Sequence, residues 1–154
     1  MQIINNIRLI RHSMNVAYFS FFSAKKMNLS KRQCRNIFFA GLLHDIGKIK
    51  LNQEILYKRD KLTIEEYEHV KQHVLLGVEL LKKYNFSEEI INIVEQHHER
   101  EDGTGYPKGL LRNEICIEAQ ILKVMDVYDA LTSNRSYRKR YTKNQAIKIL
   151  RNEK

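Results

Sequence analysis

Apolar side chains recur along this chain at intervals of three and four residues, the spacing that places them on one face of an α-helix. The pattern is clear in the first helix-length segment, where it comprises Ile3, Ile7, Ile10, Met14, Ala17 and Phe21. No convincing run of strand length alternates apolar and polar residues, as a half-buried strand would. The sequence therefore predicts an all-α fold.

Three helix starts are marked by capping boxes, in which a hydroxyl side chain and the side chain three residues later bind each other's main-chain amides. The pairs are Ser30 with Gln33, Thr63 with Glu66, and Thr142 with Gln145. With the apolar spacing, they predict helices over residues 3–26, 31–43, 64–84, 88–98, 114–132 and 143–152. Glycines make residues 102–105 a loop. We expect a single helical bundle.

Length and composition fit one domain. A chain of 154 residues with six glycines and one proline can bury a core without disulfides or a structural metal, so any bound metal is expected to be functional. No run of 18 apolar residues is free of charged or polar interruption, as a membrane span would be. Polar residues such as Asn5, Asn6 and His12 also interrupt any signal peptide. We expect a cytoplasmic protein without membrane contact.

The positive charge is concentrated near the C-terminus. The formal net charge is +9, and residues 135–154 hold eight basic residues against one glutamate, 8 − 1 = +7. A solvated helix face accounts for most of them, with nucleic-acid binding as the alternative. Arg135 and Arg138 follow Asp126 closely enough to reach an anionic ligand there. We expect these two to bind phosphate, and no DNA or RNA partner.

The most informative stretch is residues 97–107, HHEREDGTGYP. It places His97 and His98 directly before a glycine-rich turn that the only proline closes. Adjacent histidines on a continuing helix diverge by about 100°. Both can therefore serve one site only at a helix end or between two metals, which favours a dinuclear metal centre.

Carboxylates lie in apolar surroundings at two other places. His44 and Asp45 end the apolar run 38–43, and Asp126 lies among the apolar residues of predicted helix 114–132. Burying such groups without a partner is costly, and a metal ion supplies the partner. For the first pair, a His–Asp hydrogen bond at the helix end is the alternative.

Asp129 shares the helical face of Asp126, three residues away. This position suits a carboxylate that orients a metal ligand or a substrate-binding arginine. A surface charge near Arg135 is the alternative.

In this order, the motifs resemble those of the HD-GYP family, a branch of the HD-domain phosphohydrolases, from about His12 to about Gln145. They are HDIGK at 44–48, HHEREDGTGYP at 97–107 and DVYDALT at 126–132. The resemblance implies an HD-type helical bundle that hydrolyses the bacterial second messenger cyclic di-GMP to linear pGpG, GMP or both. A sensory or regulatory partner protein would be compatible with this role.

The resemblance also implies the metal ligands, adding His12 and His73 and leaving His69 out. The full set is His12, His44, Asp45, His73, His97, His98 and Asp126. We divide it between two ions, the first held by His12, His44, Asp45 and Asp126 and the second by Asp45, His73, His97 and His98. Such imidazole and carboxylate ligation suits Fe or Mn and is compatible with Zn, Co or Ni. Two such ions can hold a bridging hydroxide for in-line attack on a phosphodiester.

Substrate contacts follow from the same motifs. Lys48, one turn after the His–Asp pair, can meet a phosphate oxygen or developing charge, although an exposed helix-end lysine is the alternative. Tyr106 can stack on a base or bind a phosphate, unless its motif only shapes the loop. The predicted catalytic residues are Asp45 and Lys48. The predicted substrate-binding residues are Lys48, Tyr106, Asp129, Arg135 and Arg138.

The chain also departs from the family pattern. Some members hold a third metal with a glutamate one turn before the first histidine, where this chain has Arg8, so we expect two metals. The family's catalytic domain usually extends further, so residues 1–154 are expected to form one HD-GYP-like domain shortened at both ends. Two alternatives stay open: a hydrolase of another nucleotide, and a metal-bound cyclic-dinucleotide sensor or adaptor without useful turnover.

Overall fold

The computed structural model describes residues 2–58, 60–133 and 140–152. Within these ranges the regular secondary structure is helical, and one isolated antiparallel bridge joins Asp102 to Leu111. The all-α prediction is confirmed. None of the helices in the described ranges combines the length and apolar character that crossing a membrane requires.

The described elements include eight α-helices and a 3-10 helix. In chain order they are α1 Gln2–Lys26, α2 Lys31–Leu43, the 3-10 helix Ile46–Lys50, α3 Gln53–Leu56, α4 Ile64–Lys71, α5 His73–Lys83, α6 Glu88–Gln96, α7 Ile117–Thr132 and α8 Lys143–Asn152. Both hydrogen bonds of each predicted capping box form, at Ser30, Thr63 and Thr142. The local signals therefore place these helix starts correctly.

The predicted single helix over 64–84 is wrong, because the chain breaks it at Gln72 into α4 and α5. The main-chain amide of Gln72 donates to the carbonyl of His69, only three residues earlier, at 3.2 Å. The two halves also lie in different surroundings: α4 contributes no buried residue, whereas α5 opens on the buried His73. The break separates α4, which stays at the surface, from α5, which enters the core.

Helix packing brings the ends of several elements together. α1 packs along α2 and α7, α6 contacts α2, α5 and α7, and α8 lies on α7. The main core cluster comes from α1, α2, α5, α6, α7 and the turn before α7, and comprises Val16, Ala40, Val78, Leu81, Ile90, Ile91, Ile93, Val94, Ile115, Ala119 and Leu122. The predicted ligands therefore lie on, or next to, helices that share one core.

Two glycines allow the close approaches on which this packing depends. A Cβ at Gly41 would lie 2.6 Å from the Cα of Ala17, so α2 can approach α1 there only without a side chain. A Cβ at Gly47 would overlap the carbonyl oxygen of His73 and lie 2.6 Å from the nitrogen of Gly77. The second contact seats the 3-10 helix directly on the start of α5.

Candidate metal centre

Three buried histidines adopt the same arrangement at the ends of helices. In each, Nδ1 lies within hydrogen-bond distance of the carbonyl oxygen three residues earlier, for His44 at 2.8 Å, for His73 at 2.8 Å and for His97 at 2.6 Å. Because a carbonyl oxygen can only accept, each Nδ1 must carry the proton. The lone pair of each neutral ring is then on Nε2.

These three Nε2 atoms have no hydrogen-bond partner among the described residues, although they are buried. A buried polar atom without a partner costs about 1–3 kcal/mol. A metal ion suits such an atom, because metal-binding histidines usually donate their other ring N–H to a carbonyl or carboxylate. The histidines present therefore fit a metal site.

The candidate ligands form two clusters. The first, cluster A, contains His12, His44 and Asp126, and the second, cluster B, contains His73, His97 and His98. Within each cluster the ligand atoms all lie within 4.8 Å of one another. The structure thus brings these six predicted ligands together in the two groups that are predicted from the sequence to hold separate ions.

Asp45 lies between the clusters, with one carboxylate oxygen facing each of them. Its Oδ1 is 3.5 Å from Nε2 of His73 in cluster B, and its Oδ2 is 3.4 Å from Nε2 of His44 in cluster A. Nε2 of His12 lies 3.9 Å from the same Oδ2. This is the geometry that a carboxylate bridging two ions requires.

Lys48 lies beside Asp45 in the last turn of the 3-10 helix and is partly buried, so the alternative of an exposed lysine is wrong. Its Nζ donates to Oδ2 of Asp45 at 2.6 Å, and its side chain is 23% exposed. Burial alone would raise the pKa of Asp45, but Lys48, His44 and His73 outweigh burial and hold that pKa well below its usual range. The carboxylate is therefore ionised at neutral pH.

Asp129 positions His12 through a hydrogen-bond network that spans α1 and α7. His12 Nδ1 is 2.7 Å from Oδ2 of Asp129, whose Oδ1 accepts hydrogen bonds from Asn15 at 2.8 Å and Ser133 at 3.1 Å. Asp129 is only 3% exposed, so the surface-charge alternative is wrong. Both of its oxygens are occupied by protein groups.

His12 also faces cluster A directly, since its Nε2 is 3.1 Å from Oδ1 of Asp126. Burial would lower the pKa of His12, but the hydrogen bonds with Asp126 and Asp129 outweigh it and raise that pKa to about 9. An ion bound at Nε2 would therefore have to displace a proton.

His98 and Tyr106 connect cluster B to the glycine-rich loop. Their rings stack with centroids 4.8 Å apart and an interplanar angle of 28°. The ammonium of Lys71 lies 5.5 Å from the Tyr106 ring centroid. Burial lowers the pKa of His98 to about 3, so its ring is neutral and can offer a lone pair. Tyr106 thus packs on a candidate ligand, and its contact with a nucleotide stays a prediction.

Glu99 has a role that no sequence pattern indicated. It is 1% exposed, and its two carboxylate oxygens accept hydrogen bonds from the main-chain amides of Lys108 at 2.7 Å and Leu110 at 2.9 Å. A Cβ at Gly105 would lie 2.5 Å from the Cα of Glu99, so the loop folds back onto this residue. Its only signal is its place, immediately after two predicted ligands.

Replacing Glu99 with glutamine should lower the free energy of unfolding by about 1–2 kcal/mol, because one loop amide loses its acceptor and a charge-assisted hydrogen bond is lost. Urea denaturation of the metal-free protein measures this. Glu101→Gln is the matched control, since Glu101 lies in the same loop but is exposed. Equal stability of the two variants would contradict the anchoring role of Glu99.

The remaining predicted contacts divide into two groups. Arg135 and Arg138 lie outside the described residues, so their phosphate-binding role stays a prediction. His69, which is not among the predicted ligands, accepts a hydrogen bond from the main-chain amide of Asn52 at 3.1 Å through Nε2. This histidine therefore connects α4 to the start of α3.

Comparison with known proteins gives consistent matches. A family model described as HD domain matches residues 2–154. The cyclic di-GMP phosphodiesterase response regulator RpfG of Xanthomonas campestris is 41% identical over 129 residues, 82% of this chain and 34% of that protein. A 3'3'-cGAMP-specific phosphodiesterase of Vibrio cholerae is 34% identical over 143 residues, 93% of this chain and 33% of that protein. The chain thus spans about a third of the length of these curated relatives.

A solved structure shares the helical architecture. It is that of a protein described as HDG"Y"P, from Bdellovibrio bacteriovorus, with a TM-score of 0.74 and 27% identity. The match covers 92% of this chain and 45% of that chain.

Proposed function

We propose that this chain, which belongs to the HD domain family, is a metal-dependent phosphodiesterase that hydrolyses cyclic di-GMP to linear pGpG, GMP or both. The resemblance to the HD-GYP family predicted from the sequence is confirmed. The observation that carries the proposal is the pair of ligand clusters, A and B, with Asp45 between them. Relatives named as cyclic di-GMP phosphodiesterases support the choice of substrate.

Two divalent ions would be held in this centre, one by cluster A with Asp45 and the other by cluster B with Asp45. The donors are imidazole nitrogens and carboxylate oxygens without thiolate, which favours Fe or Mn and also fits Zn, Co or Ni. When bound, such a pair supplies Lewis-acid activation of the phosphodiester and a hydroxide nucleophile.

The chain's own side chains would bind and orient the substrate around that centre. The Lys48 ammonium is close enough to Asp45 to donate to a phosphate oxygen bound there, which is the role we assign to it. Arg135 and Arg138 would bind phosphate through their guanidinium groups, and Tyr106 would contact the nucleotide. Asp129 is better suited to orienting His12 than to contacting substrate, because protein groups occupy both of its oxygens.

Asp129→Asn should weaken binding of one ion by about 10–100-fold, the usual effect of removing a group that orients a ligand. If the asparagine oxygen keeps the bonds from Asn15 and Ser133, its NH₂ faces His12 and favours the tautomer with a proton on Nε2. That proton blocks the lone pair that an ion in cluster A needs. Metal titration followed by elemental analysis measures the loss.

Ser133→Ala is the control for this variant, since it removes one donor to Asp129 and leaves the carboxylate in contact with His12. We expect it to retain both ions. Equal metal affinity in Asp129→Asn and the unaltered protein would show that His12 does not depend on this carboxylate.

A second candidate substrate is 3'3'-cGAMP, favoured by the Vibrio cholerae relative, whose match covers 93% of this chain.

The proposed hydrolysis and its substrate are tested by anaerobic purification with Fe or Mn, then product chromatography with cyclic di-GMP, 3'3'-cGAMP and cyclic di-AMP. We expect pGpG or GMP from cyclic di-GMP, and no product with His97→Ala. Faster turnover of 3'3'-cGAMP would change the assigned substrate. Tight nucleotide binding without any product would identify a sensor.

Three further predictions from the sequence belong to this proposal: residues 1–154 as one catalytic domain, a cytoplasmic location, and a sensory or regulatory partner protein. They concern the extent, the location and the partners of the protein. The outcomes of the metal and product measurements described above do not depend on them.

A further inference from the structure

The outward face of α1 is apolar over about three turns. Its exposed side chains follow at intervals of three or four residues, and those of Ile7, Ile10, Met14 and Tyr18 are each 57–60% exposed. Ile49 of the 3-10 helix is 61% exposed and lies next to Ile10 and Met14, where it enlarges the same surface. Single exposed apolar residues are common, but a continuous apolar patch marks an interaction site. We call this surface the α1 face.

A cavity of about 380 Å³ opens on the α1 face, between α1 and the 3-10 helix. Ile10 and Met14 line it on one side, and Ile46 and Ile49 line it on the other. Asp45 also contributes to its wall. Such a cavity can accept an apolar side chain from outside, as packing helices place side chains of one between those of the other.

The charged side chains of α1 are all positive, and the one carboxylate in the cavity wall, Asp45, is paired with Lys48. The chain has no aspartate or glutamate before Asp45, whereas α1 carries Arg8, Arg11, Lys25 and Lys26. By helical spacing, Arg11 lies on the same side of α1 as Ile7 and Met14. The face therefore combines an apolar stripe with basic side chains at its border.

This charge pattern disfavours a second copy of the chain as the occupant. A two-fold interface brings the same patch of both copies together, so the basic residues of α1 would meet each other. Like charges that face each other across an interface oppose association. The complementary surface is an apolar stripe bordered by acidic side chains. The cavity, which is concave, matches a projecting side chain better than the flat surface of a lipid bilayer.

We propose that the α1 face is the docking surface for an acidic amphipathic helix of a partner protein. One apolar side chain of that helix enters the cavity beside Asp45, and its acidic residues contact Arg8 and Arg11. Helices that place an apolar face in a groove are a common mode of recognition. This inference goes beyond the proposed hydrolysis and does not depend on it, since docking requires neither metal nor nucleotide.

The probe is a fluorescent synthetic helix of three heptads, with leucine at positions a and d and glutamate at e and g. A second peptide has lysine at e and g. Fluorescence anisotropy with the full chain should show the acidic peptide binding at least about tenfold more tightly than the basic one. The double variant Ile10→Glu/Met14→Glu should weaken that binding by at least about tenfold. Leu75→Glu, a similarly exposed apolar position on α5, should leave it within about twofold.

A charge reversal tests the same surface without altering its apolar stripe. Arg8→Glu/Arg11→Glu should reverse the preference, so that the basic peptide becomes the tighter ligand. Circular dichroism establishes that each variant is folded. The proposal is overturned if neither peptide binds, if both bind equally, or if Leu75→Glu weakens binding as much as the double variant.

Two further outcomes would assign the α1 face to another occupant and also overturn the proposal. One is a dimer in analytical ultracentrifugation that Ile10→Glu/Met14→Glu dissociates, which would identify a second copy of the chain. The other is binding to vesicles of phosphatidylglycerol and phosphatidylcholine that the same variant abolishes, which would identify an anionic membrane surface.

Discussion

Asp45→Ala should abolish hydrolysis and release metal from both clusters. We expect the rate to fall by at least about 1000-fold, equivalent to about 4 kcal/mol of lost transition-state stabilisation. The reason is geometric, because one oxygen of Asp45 faces His44 and the other faces His73. Removing the carboxylate leaves cluster A and cluster B without the group that lies between them. Elemental analysis and product chromatography measure the two effects.

Asp60→Ala is the control for this experiment, because Asp60 is an exposed aspartate in the segment between α3 and α4. We expect it to keep full metal content and activity. A variant Asp45→Ala that still holds two ions would contradict the bridging role. Loss of one ion alone would assign Asp45 to a single cluster.

Gly47→Ala should destabilise the fold by about 3 kcal/mol or more, at the upper end of what overpacking costs. The added Cβ would overlap the carbonyl oxygen of His73, and a main-chain atom cannot rotate away as a side chain can. The 3-10 helix would have to separate from α5. Urea denaturation of the metal-free protein measures the free energy of unfolding without the contribution of bound metal.

Gly77→Ala provides a closely matched control at the same crossing. A Cβ at Gly77 would lie 3.5 Å from the nitrogen of Gly47, which is an ordinary contact. Alanine also favours a helix over glycine by about 1 kcal/mol, so this variant should be at least as stable as the unaltered protein. If both variants were equally destabilised, the close approach of the 3-10 helix to α5 would not depend on the missing side chain at Gly47.

The sequence predicted much of the fold because several helix starts carry local signals. Capping boxes depend on residues three positions apart, and all three form as expected. The break at Gln72 has no comparable signal. It arises because His73 enters the core while α4 stays at the surface, a requirement of tertiary packing that helical periodicity does not contain.

Some residues of the candidate site could be predicted from local motifs, and others could not. His44, Asp45, His97 and His98 belong to compact motifs, so their neighbours in sequence already indicate metal chemistry. His12 was identified only through its place in the ordered family pattern. The contact that positions it, with Asp129, joins residues 117 apart in sequence, and no local pattern encodes such a pair.

The hydrogen bonds that orient the histidines also decide how the centre tolerates mutation. The rings of His44, His73 and His97 are held by main-chain carbonyls, an acceptor that every amino acid supplies. Substitutions at the residues providing those carbonyls therefore leave the acceptor itself in place. His12 depends instead on the side chain of Asp129. A single substitution at Asp129 can therefore disturb the orientation of His12 in cluster A. His73 and His97 of cluster B do not depend on another residue's side chain in this way.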